Sequence, residues 1–252
     1  MSVKNGASRV LASIDSIKKQ TIENWEFIIC DDGSTDDTLC LLEKCASEDN
    51  RFIIIKNNQS MGLAYSLNRC LSCASGDFIA RMDDDDFSYP DRFEKQIAFL
   101  NNNQDISFVS SNIDIFDGEK IIGYRKLKKF PKKKDFVMNS PFVHPATVFK
   151  TNDLKSVNGY RVCKDTMRGQ DYDLFMRMYS KGFRGANLQE PVFRYTESKA
   201  SFKKHTLKAR VGEFKIRCFG FSKMHIIWWA FPFVFKPFIA HFIQLFRLLR
   251  KK

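Results

Sequence analysis

The sequence predicts an α/β fold in which parallel strands are joined by crossover helices. Helical apolar spacing alternates with short apolar runs through the first hundred residues, and acidic residues follow two of these runs. Leu11, Ile14 and Ile17 recur at helical spacing, and the apolar run 26–30 then ends in Asp-Asp-Gly-Ser. The same order repeats, with helical spacing in 39–45 and 63–71 and apolar runs at 52–55 and 77–82. Regular alternation of helix and strand is typical of a parallel sheet.

The second hundred residues predict a small antiparallel section that completes the domain. A helix is expected after Pro90, and apolar segments follow it at 107–110 and 112–116. The dipeptide Asp117-Gly118 then separates two apolar runs, which indicates a tight hairpin. Further segments are expected at 146–150, 172–180 and 191–195. We therefore expect one domain over residues 1–200.

The basic charge of the chain is concentrated at its carboxyl end. Lys and Arg number 41 against 29 Asp and Glu, a formal net charge of +12. Residues 203–252 contain twelve Lys or Arg and a single acidic residue, Glu213, so the first 202 residues are nearly neutral. A nucleic-acid-binding domain usually carries its basic residues on a folded face, whereas here they are mixed with Phe and Trp. This distribution argues against nucleic acid as a partner and favours an anionic membrane surface.

Residues 201–252 are accordingly expected to form a basic, aromatic-rich, membrane-associating helical tail. Lys236 is the only charged residue in 226–246 and has Pro232 and Pro237 close by, which argues against a spanning helix. From Phe238 onward, apolar residues share one helix face and His, Gln, Arg and Lys share the other, as in amphipathic helices that lie in an anionic bilayer surface. A helix packed on the domain or on a second copy, and a spanning helix, are the alternatives.

Residues 125–134 form a separate basic segment, with seven Lys or Arg in ten residues. Such a density of like charge, with Pro131 near its end, predicts a solvated surface loop. The interpretation from sequence is a charged surface without a specific partner.

Four consecutive carboxylates, those of Asp83, Asp84, Asp85 and Asp86, follow the apolar run at 77–82. Their mutual repulsion is destabilising unless positive charge lies among them. Mg²⁺ or Mn²⁺ would supply it, because hard oxygen ligands suit these ions and such sites leave positions for water and substrate phosphate. The alternative is a solvated loop whose last Asp helps to start the next helix.

Two other acidic positions lie where a ligand would bind. Asp31 and Asp32 end a buried run, and ligands in open parallel sheets bind outside the carboxyl ends of the strands. We therefore expect both acidic clusters at one crevice, where a carboxylate can accept the ring N–H of a base or a ribose hydroxyl. Capping by Asp36 would explain one carboxylate of this loop. Asp171 precedes an amphipathic helix and is either a helix cap or a general base.

Together these segments resemble glycosyltransferase family 2, the inverting, nucleotide-sugar-dependent enzymes with a GT-A fold. The matching segments are MSVKNG (1–6), QTIENWEFIICDDGSTDDT (20–38), NQSMGLAYSLN (58–68), GDFIARMDDDDFSYPDRFEKQIAFL (76–100), HPATVFK (144–150), NGYR (158–161), GQDYDLFMRM (169–178) and NLQEPVFRY (187–195). The resemblance covers residues 1–200 in the expected order. It is greatest to bacterial enzymes that build capsule, O-antigen or other surface polysaccharide.

The resemblance implies roles for five residues of the donor site. Asp32 would contact a uracil-type base, with Ser2 near the base at the end of the first strand. Asp83 and Asp85 match the DxD motif that binds Mn²⁺ or Mg²⁺, with Asp85 the direct metal ligand. Asp84 would face the ribose and the diphosphate.

The resemblance also implies roles near the acceptor. Asp171 matches the catalytic base of the family. His144, in the HPATVF segment, would lie near the acceptor or the diphosphate, and a buried structural histidine is the alternative. Gln170 stands where the family usually has Glu, which keeps the hydrogen-bonding shape and removes a charge.

The function expected from these features is inverting transfer of a sugar from a nucleotide-sugar, in particular a UDP-sugar, to an acceptor hydroxyl in cell-surface polysaccharide synthesis. The acceptor is a carbohydrate or is lipid-linked, and the expected location is peripheral, at the cytoplasmic face of the bacterial inner membrane. The family usually has several more apolar residues before the segment that matches MSVKNG, so a short first strand is expected. That short strand and Gln170 favour an alternative, a catalytically weak or inactive nucleotide-sugar-binding or assembly subunit.

Overall fold

The computed structural model describes residues 1–197 and 207–240. The strands in these ranges are β1 (Ser2–Val3), β2 (Phe27–Asp31), β3 (Phe52–Lys56), β4 (Phe78–Ala80), β5 (Phe87–Ser88), β6 (Phe108–Phe116), β7 (Ile121–Arg125), β8 (Val148–Lys150) and β9 (Gly185–Thr196). The α-helices are α1 (Val10–Lys18), α2 (Thr38–Glu48), α3 (Leu63–Cys73), α4 (Arg92–Asn102), α5 (Thr151–Ser156), α6 (Gln170–Ser180), α7 (Leu207–Lys223) and α8 (Ile227–Ala230). Short 3₁₀ turns lie at Lys133–Phe136, His144–Ala146, Lys164–Thr166 and Phe231–Phe235.

The first half of the chain forms a parallel sheet of three strands in the order β1-β2-β3. All five residues of β2 are buried, which explains why its sequence is an apolar run without alternation. β1 has two residues, with Ser2 opposite Cys30 and Val3 opposite Asp31. The predicted alternation of helices and parallel strands is confirmed here, and the Asp31-Asp32 pair lies at the carboxyl end of β2.

The second sheet is mixed and has the order β4-β8-β6-β9-β5, with β7 paired to β6. The prediction that the apolar run 77–82 adds a further parallel strand is wrong in this detail, because β4 pairs antiparallel with β8 and Ile79 lies opposite Phe149. The hairpin at Asp117-Gly118 is confirmed, and Gly118 adopts the left-handed conformation (φ 105°) that its turn needs. The α/β class is also confirmed.

A cleft of about 560 Å³ separates the two sheets beside β1. Met1, Phe27 and Ile28 line one side of it, and β4 lines the other. The Met1 amine donates a hydrogen bond to the Ile28 carbonyl at 2.8 Å, and burial lowers the pKa of this amine.

The described carboxyl-terminal residues pack on the domain. α7 lies along α6, so closely that a Cβ on Gly220 would approach Met176 Sδ to 2.3 Å. The largest apolar cluster joins α6 to this segment through Ile216, Phe221 and Val234. The residues before and after position 200 therefore share one apolar core, and the change in composition at this point concerns the surface.

The predicted amphipathic helix from Phe238 onward falls mostly outside the described residues, which end at 240. Before that point the chain forms α7, α8 and a 3₁₀ turn in place of one continuous helix. Within 1–197 and 207–240, no helix has both the length and the apolar character needed to cross a bilayer.

Candidate active site

Three of the four carboxylates in the loop after β4 have specific partners. Arg81 Nη1 lies 2.5 Å from Asp83 Oδ1, and Arg9 Nη2 lies 2.6 Å from Asp84 Oδ2. Asp86 is buried and accepts a hydrogen bond from the Thr196 backbone N–H at 2.7 Å. Two arginines therefore supply part of the positive charge that the sequence analysis assigned to a cation alone.

Asp85 is the exception in this loop, because within the described ranges no Lys or Arg forms an ion pair with it and no other residue donates a hydrogen bond to its carboxylate, whereas Asp86 accepts one from Thr196 N. Asp85 as a whole residue is exposed, but neighbouring protein atoms partly desolvate its carboxyl group. This desolvation, followed by the charges of Asp83 and Asp84, raises the pKa of Asp85 to about 6. A carboxylate that is exposed and repelled by neighbouring carboxylates is suited to bind a cation.

The donor set of this loop fits a Mg²⁺ or Mn²⁺ ion that keeps other ligands. Asp83 and Asp85 offer hard oxygen atoms on alternate residues. Among the residues the structure describes, no three His, Cys, Asp or Glu side chains converge as a complete metal site. An ion here would therefore complete its coordination with water and with the phosphate oxygens of a ligand, as Mg²⁺ commonly does.

The two aspartates that end β2 have different environments. Asp32 accepts hydrogen bonds at 2.7–3.0 Å from five donors, which are Asn57 Nδ2, Ser60 Oγ, Met61 N, Gly62 N and Ser66 Oγ. Burial opposes ionisation of Asp32, but the hydrogen bonds outweigh it and lower its pKa. Asp31 accepts one bond, from Ser34 N to Oδ2 at 3.2 Å, and its buried Oδ1 has no partner. The open acceptor at this strand end thus belongs to Asp31, while the carboxylate of Asp32 organises the segment 57–66.

The loop after β1 connects the two acidic clusters. Asn5 N donates to Ser34 Oγ at 2.9 Å, beside Asp31, and Arg9 reaches the other cluster through Asp84. Between them, a Cβ on Gly6 would lie 2.6 Å from Asp84 Oδ2, so glycine allows the close approach. These contacts place both clusters against one loop, as the topology predicts. Ser2 is buried in β1, opposite Cys30.

Asp171 lies in the first turn of α6 and is not its N-cap. The N-cap is Gly169, in the left-handed conformation (φ 102°), and Gln170 Oε1 accepts a hydrogen bond from Gly169 N at 3.2 Å. Burial raises the pKa of Asp171. Asp173 is instead held by Arg161 at 2.6 Å and by Arg177 at 2.8 Å. Of the two acidic residues in this turn, Asp171 is the one that forms no ion pair with any residue the structure describes.

His144 is buried and paired with a tyrosine. Its Nε2 lies 2.7 Å from Tyr160 Oη, and the Tyr160 backbone exchanges two hydrogen bonds with the Asn68 side chain. Burial, followed by the charge of Arg81, lowers the pKa of His144 well below its usual value, so the ring is neutral at pH 7. This geometry agrees with the buried histidine that the sequence analysis gave as the alternative.

Sequence reasoning missed the two arginines of the site. Arg81 stands between Ala80 and Met82 in an apolar segment, where an isolated charge is the signal that could have revealed it. Only 4% of Arg81 is exposed, and its charge also acts to lower the pKa of Asp171. Arg9 lies in the turn just before α1, with no local sign of its distant partner.

The fold matches solved structures of transferases. TarS 1–349 of Staphylococcus aureus, in complex with UDP-GlcNAc, superposes with a TM-score of 0.70 at 17% identity, over 86% of this chain and 64% of the TarS chain. The mannosyltransferase PcManGT of Pyrobaculum calidifontis, in complex with GDP-Man and Mn²⁺, gives a TM-score of 0.67 at 16% identity, over 95% and 72%. The chain spans less than two thirds of the TarS chain. At these identities the likeness establishes the fold, which is GT-A.

Sequence relatives define the family within that fold class. The Glycosyl transferase family 2 profile matches residues 1–158. EpsE of Bacillus subtilis (strain 168) is 38% identical over 207 residues, which are 82% of this chain and 74% of EpsE. The UDP-Glc:alpha-D-GlcNAc-diphosphoundecaprenol beta-1,3-glucosyltransferase WfaP of Escherichia coli is 29% identical over 251 residues, 94% of this chain and 92% of WfaP. The chain belongs to glycosyltransferase family 2.

Proposed function

We propose that this protein transfers a sugar from a UDP-sugar to an acceptor hydroxyl, with inversion, in the synthesis of a bacterial surface polysaccharide. The observation that carries the proposal is the pairing pattern of the acidic residues. Asp83, Asp84 and Asp173 are engaged by arginines and Asp86 is buried against the Thr196 backbone N–H, whereas Asp85 and Asp171 reach solvent and form no ion pair within the described ranges. The two carboxylates left open are those that the chemistry needs, one for the donor diphosphate and one for the acceptor proton.

Donor binding would use the crevice between the acidic clusters. The buried and unpartnered Oδ1 of Asp31 would accept the N–H of a uracil ring, a role that the family resemblance gives to Asp32. Asp83 and Asp85 would hold Mg²⁺ or Mn²⁺ together with the diphosphate. When bound, such an ion stabilises the negative charge that develops on the departing diphosphate.

The acceptor proton would go to Asp171. A general base must be able to reach a hydroxyl and must have a proton affinity suited to the working pH. Asp171 is partly exposed at the start of α6, and burial raises its pKa. As the acceptor oxygen attacks the anomeric carbon, Asp171 takes its proton, and the bond to the diphosphate oxygen breaks on the opposite face. One displacement of this kind inverts the anomeric configuration.

A lipid-linked acceptor at the cytoplasmic membrane surface is part of the proposal. WfaP is named for transfer to a diphosphoundecaprenol-linked sugar, and this chain aligns with 92% of its length. Trp228 is 90% exposed, and Trp229 and Phe231 are exposed beside it. Aromatic side chains of this kind favour the interface between water and bilayer.

The test is a donor screen followed by a transfer assay. UDP- and GDP-sugars are compared for thermal stabilisation with and without Mn²⁺, and the best donor is then offered to a polyprenyl-diphosphate-linked GlcNAc. NMR of the product reports the anomeric configuration, and Asp171→Asn is the matched inactive control. A retained configuration, or transfer that is insensitive to both EDTA and Asp171→Asn, would overturn this mechanism.

The alternative, a nucleotide-sugar-binding subunit without turnover, is favoured by Gln170 at a position where the family usually has Glu. It predicts donor binding with neither transfer nor slow donor hydrolysis. Measurable hydrolysis that Asp171→Asn removes would exclude it.

A further inference from the structure

The basic segment 125–134 lies beside the aromatic carboxyl-terminal segment, although about ninety residues separate them in sequence. Lys133 Nζ donates a hydrogen bond to the Met224 carbonyl at 3.2 Å. Further along, Lys236 Nζ bonds to Asn139 Oδ1 at 2.7 Å and also to the Met138 carbonyl. The two segments therefore run next to each other over several residues. We call residues 130–138 and 228–239 the basic–aromatic surface.

The exposed side chains of this surface are of two kinds. Its large apolar members include Phe130, Met138, Trp228, Trp229, Phe231, Phe235 and Ile239, all of them exposed. Its exposed cations include Lys132 and Lys134. Exposed apolar groups that form a patch usually mark an interaction site, and scattered single ones do not.

A small pocket of about 270 Å³ opens within the basic segment. Phe130, Lys132, Lys133, Phe183 and Arg184 line it together with Pro131, Tyr179 and Gly182. The nearby acidic groups are already engaged: Asp135 bonds to Lys128 Nζ at 2.8 Å, and Asp105 bonds to Arg184 at 2.6 Å. The Lys132 ammonium forms no ion pair within the described ranges, although the Lys132 backbone N–H donates to Asp135 Oδ2 at 2.6 Å. The pocket therefore has a net positive lining and suits a phosphate group.

We propose that the basic–aromatic surface seats on an anionic bilayer, with a lipid phosphate in the pocket at Lys132. The proposal rests on the membrane-side transfer proposed above and adds a second, sequence-distant half to the membrane contact. Aromatic rings enter the headgroup region while Lys side chains meet the negative surface. A nucleic acid would match the charge but would leave the exposed Trp and Phe without an apolar phase.

The test compares charge reversal on this surface with the same change elsewhere. Lys132→Glu with Lys134→Glu is the test variant, and Lys19→Glu with Lys44→Glu, at exposed positions of the helical segments before and after β2, is the matched control. Each protein is sedimented with phosphatidylcholine vesicles that contain none or one third phosphatidylglycerol. One basic residue near an anionic surface contributes about 1 kcal/mol, which is about fivefold in affinity. We expect the test variant to lose at least about 25-fold of its affinity for the anionic vesicles, and the control to lose less than about threefold.

Four further measurements separate the explanations. Thermal melts check that both variants fold. Brominated lipids should quench the fluorescence of Trp228, because this ring would lie in the headgroup region. The Trp228→Phe variant identifies which part of the fluorescence comes from that ring. Inorganic phosphate at millimolar concentration should not displace the protein from vesicles. Donor hydrolysis should be equal in both variants, so failure of the membrane contact is distinguishable from failure of the proposed transfer. Equal losses in the two variants, no binding by the parent protein at low salt, or full displacement by phosphate would each overturn the proposal.

Discussion

The buried guanidinium of Arg81 lies 2.5 Å from the carboxylate of Asp83, and this pair makes Asp83 unlike Asp85, the other aspartate proposed to hold a metal ion. Asp83 forms an ion pair with Arg81, whereas Asp85 forms no ion pair among the described residues. A buried ion pair is costly to break from one side, because the remaining charge is left without a partner. An Asp that only repels its neighbours can be neutralised without that cost.

We therefore expect opposite effects on stability at these two positions. Asp83→Ala should lower the free energy of unfolding by about 2–3 kcal/mol in the absence of metal, since Arg81 would be buried unpaired. Asp85→Asn should leave it unchanged or raise it, because repulsion in the loop is relieved. Urea denaturation in EDTA measures both. A larger loss in Asp85→Asn than in Asp83→Ala would contradict the assigned pairing.

Asp85→Asn should also abolish the effect of divalent ions on nucleotide binding. Asp85 is proposed as the direct metal ligand, so UDP affinity with Mn²⁺ should fall to the value measured in EDTA. Isothermal titration of UDP in the two buffers measures the difference, and Asp91→Asn, on an exposed helix start, is the control. If the parent protein binds UDP equally in both buffers, the metal assignment fails.

The two aspartates that end β2 should separate nucleotide binding from stability. Asp32→Asn replaces one of the two carboxylate oxygens that accept from Met61 N and Gly62 N by an NH₂ group, so at least one of these donors loses its acceptor. The free energy of unfolding should fall by about 1–3 kcal/mol. Asp31→Asn loses one long hydrogen bond from Ser34 and should change stability less. UDP affinity should instead fall about 10-fold or more in Asp31→Asn, because a charged acceptor for the base is removed. Thermal melts and UDP titrations of both variants measure these two effects. If UDP affinity falls only in Asp32→Asn, the contact to the base belongs to Asp32.

The sequence was sufficient for features that depend on local pattern. The acidic residues after β2 and β4 could be placed at one crevice because apolar runs define strand ends. The partners of those residues could not be predicted, since Arg9 and Arg81 come from segments whose own pattern is ordinary. The antiparallel pairing of β4 was also missed, because an apolar run of this length does not report the direction of its neighbour.

The packing of α7 was equally inaccessible from composition. Its basic residues suggested a membrane-associating tail, but Arg217 is buried and donates to the Val137 carbonyl at 2.8 Å. Long cationic side chains can cross an apolar layer to reach carbonyl groups, so charge count alone did not predict exposure.

Truncation tests how far the carboxyl-terminal segment belongs to the core. Deleting 207–252 removes Ile216, Phe221 and Val234 from the apolar cluster that contains α6. We expect the shortened protein to aggregate or to lose its cooperative thermal transition. Deleting only 241–252 should preserve that transition within a few degrees. If the protein that lacks 207–252 melts cooperatively at the parental temperature, the core is complete without α7.

The last prediction concerns Asp171 and uses Asp173 as its neighbour and control. Burial raises the pKa of Asp171, so in the folded protein its ionised form is disfavoured and its stability contribution is lost as pH rises through that pKa. Asp171→Asn should therefore be neutral or stabilising at pH 7. It should lower transfer by roughly 10² or more, the scale of a positioned general base, with donor affinity changed only a few fold.

Asp173→Asn should behave in the opposite way. The substitution leaves Arg161 and Arg177 without their carboxylate partner and should lower the free energy of unfolding by about 3 kcal/mol. The protein that stays folded retains Asp171 as its general base. In the parent, transfer should decline on acidification at a pH above the usual carboxyl range, because protonated Asp171 cannot accept the hydroxyl proton. That acid limb should be absent from the residual activity of Asp171→Asn and retained in Asp173→Asn. If both variants keep the limb and Asp171→Asn keeps its rate, the base lies elsewhere in the crevice.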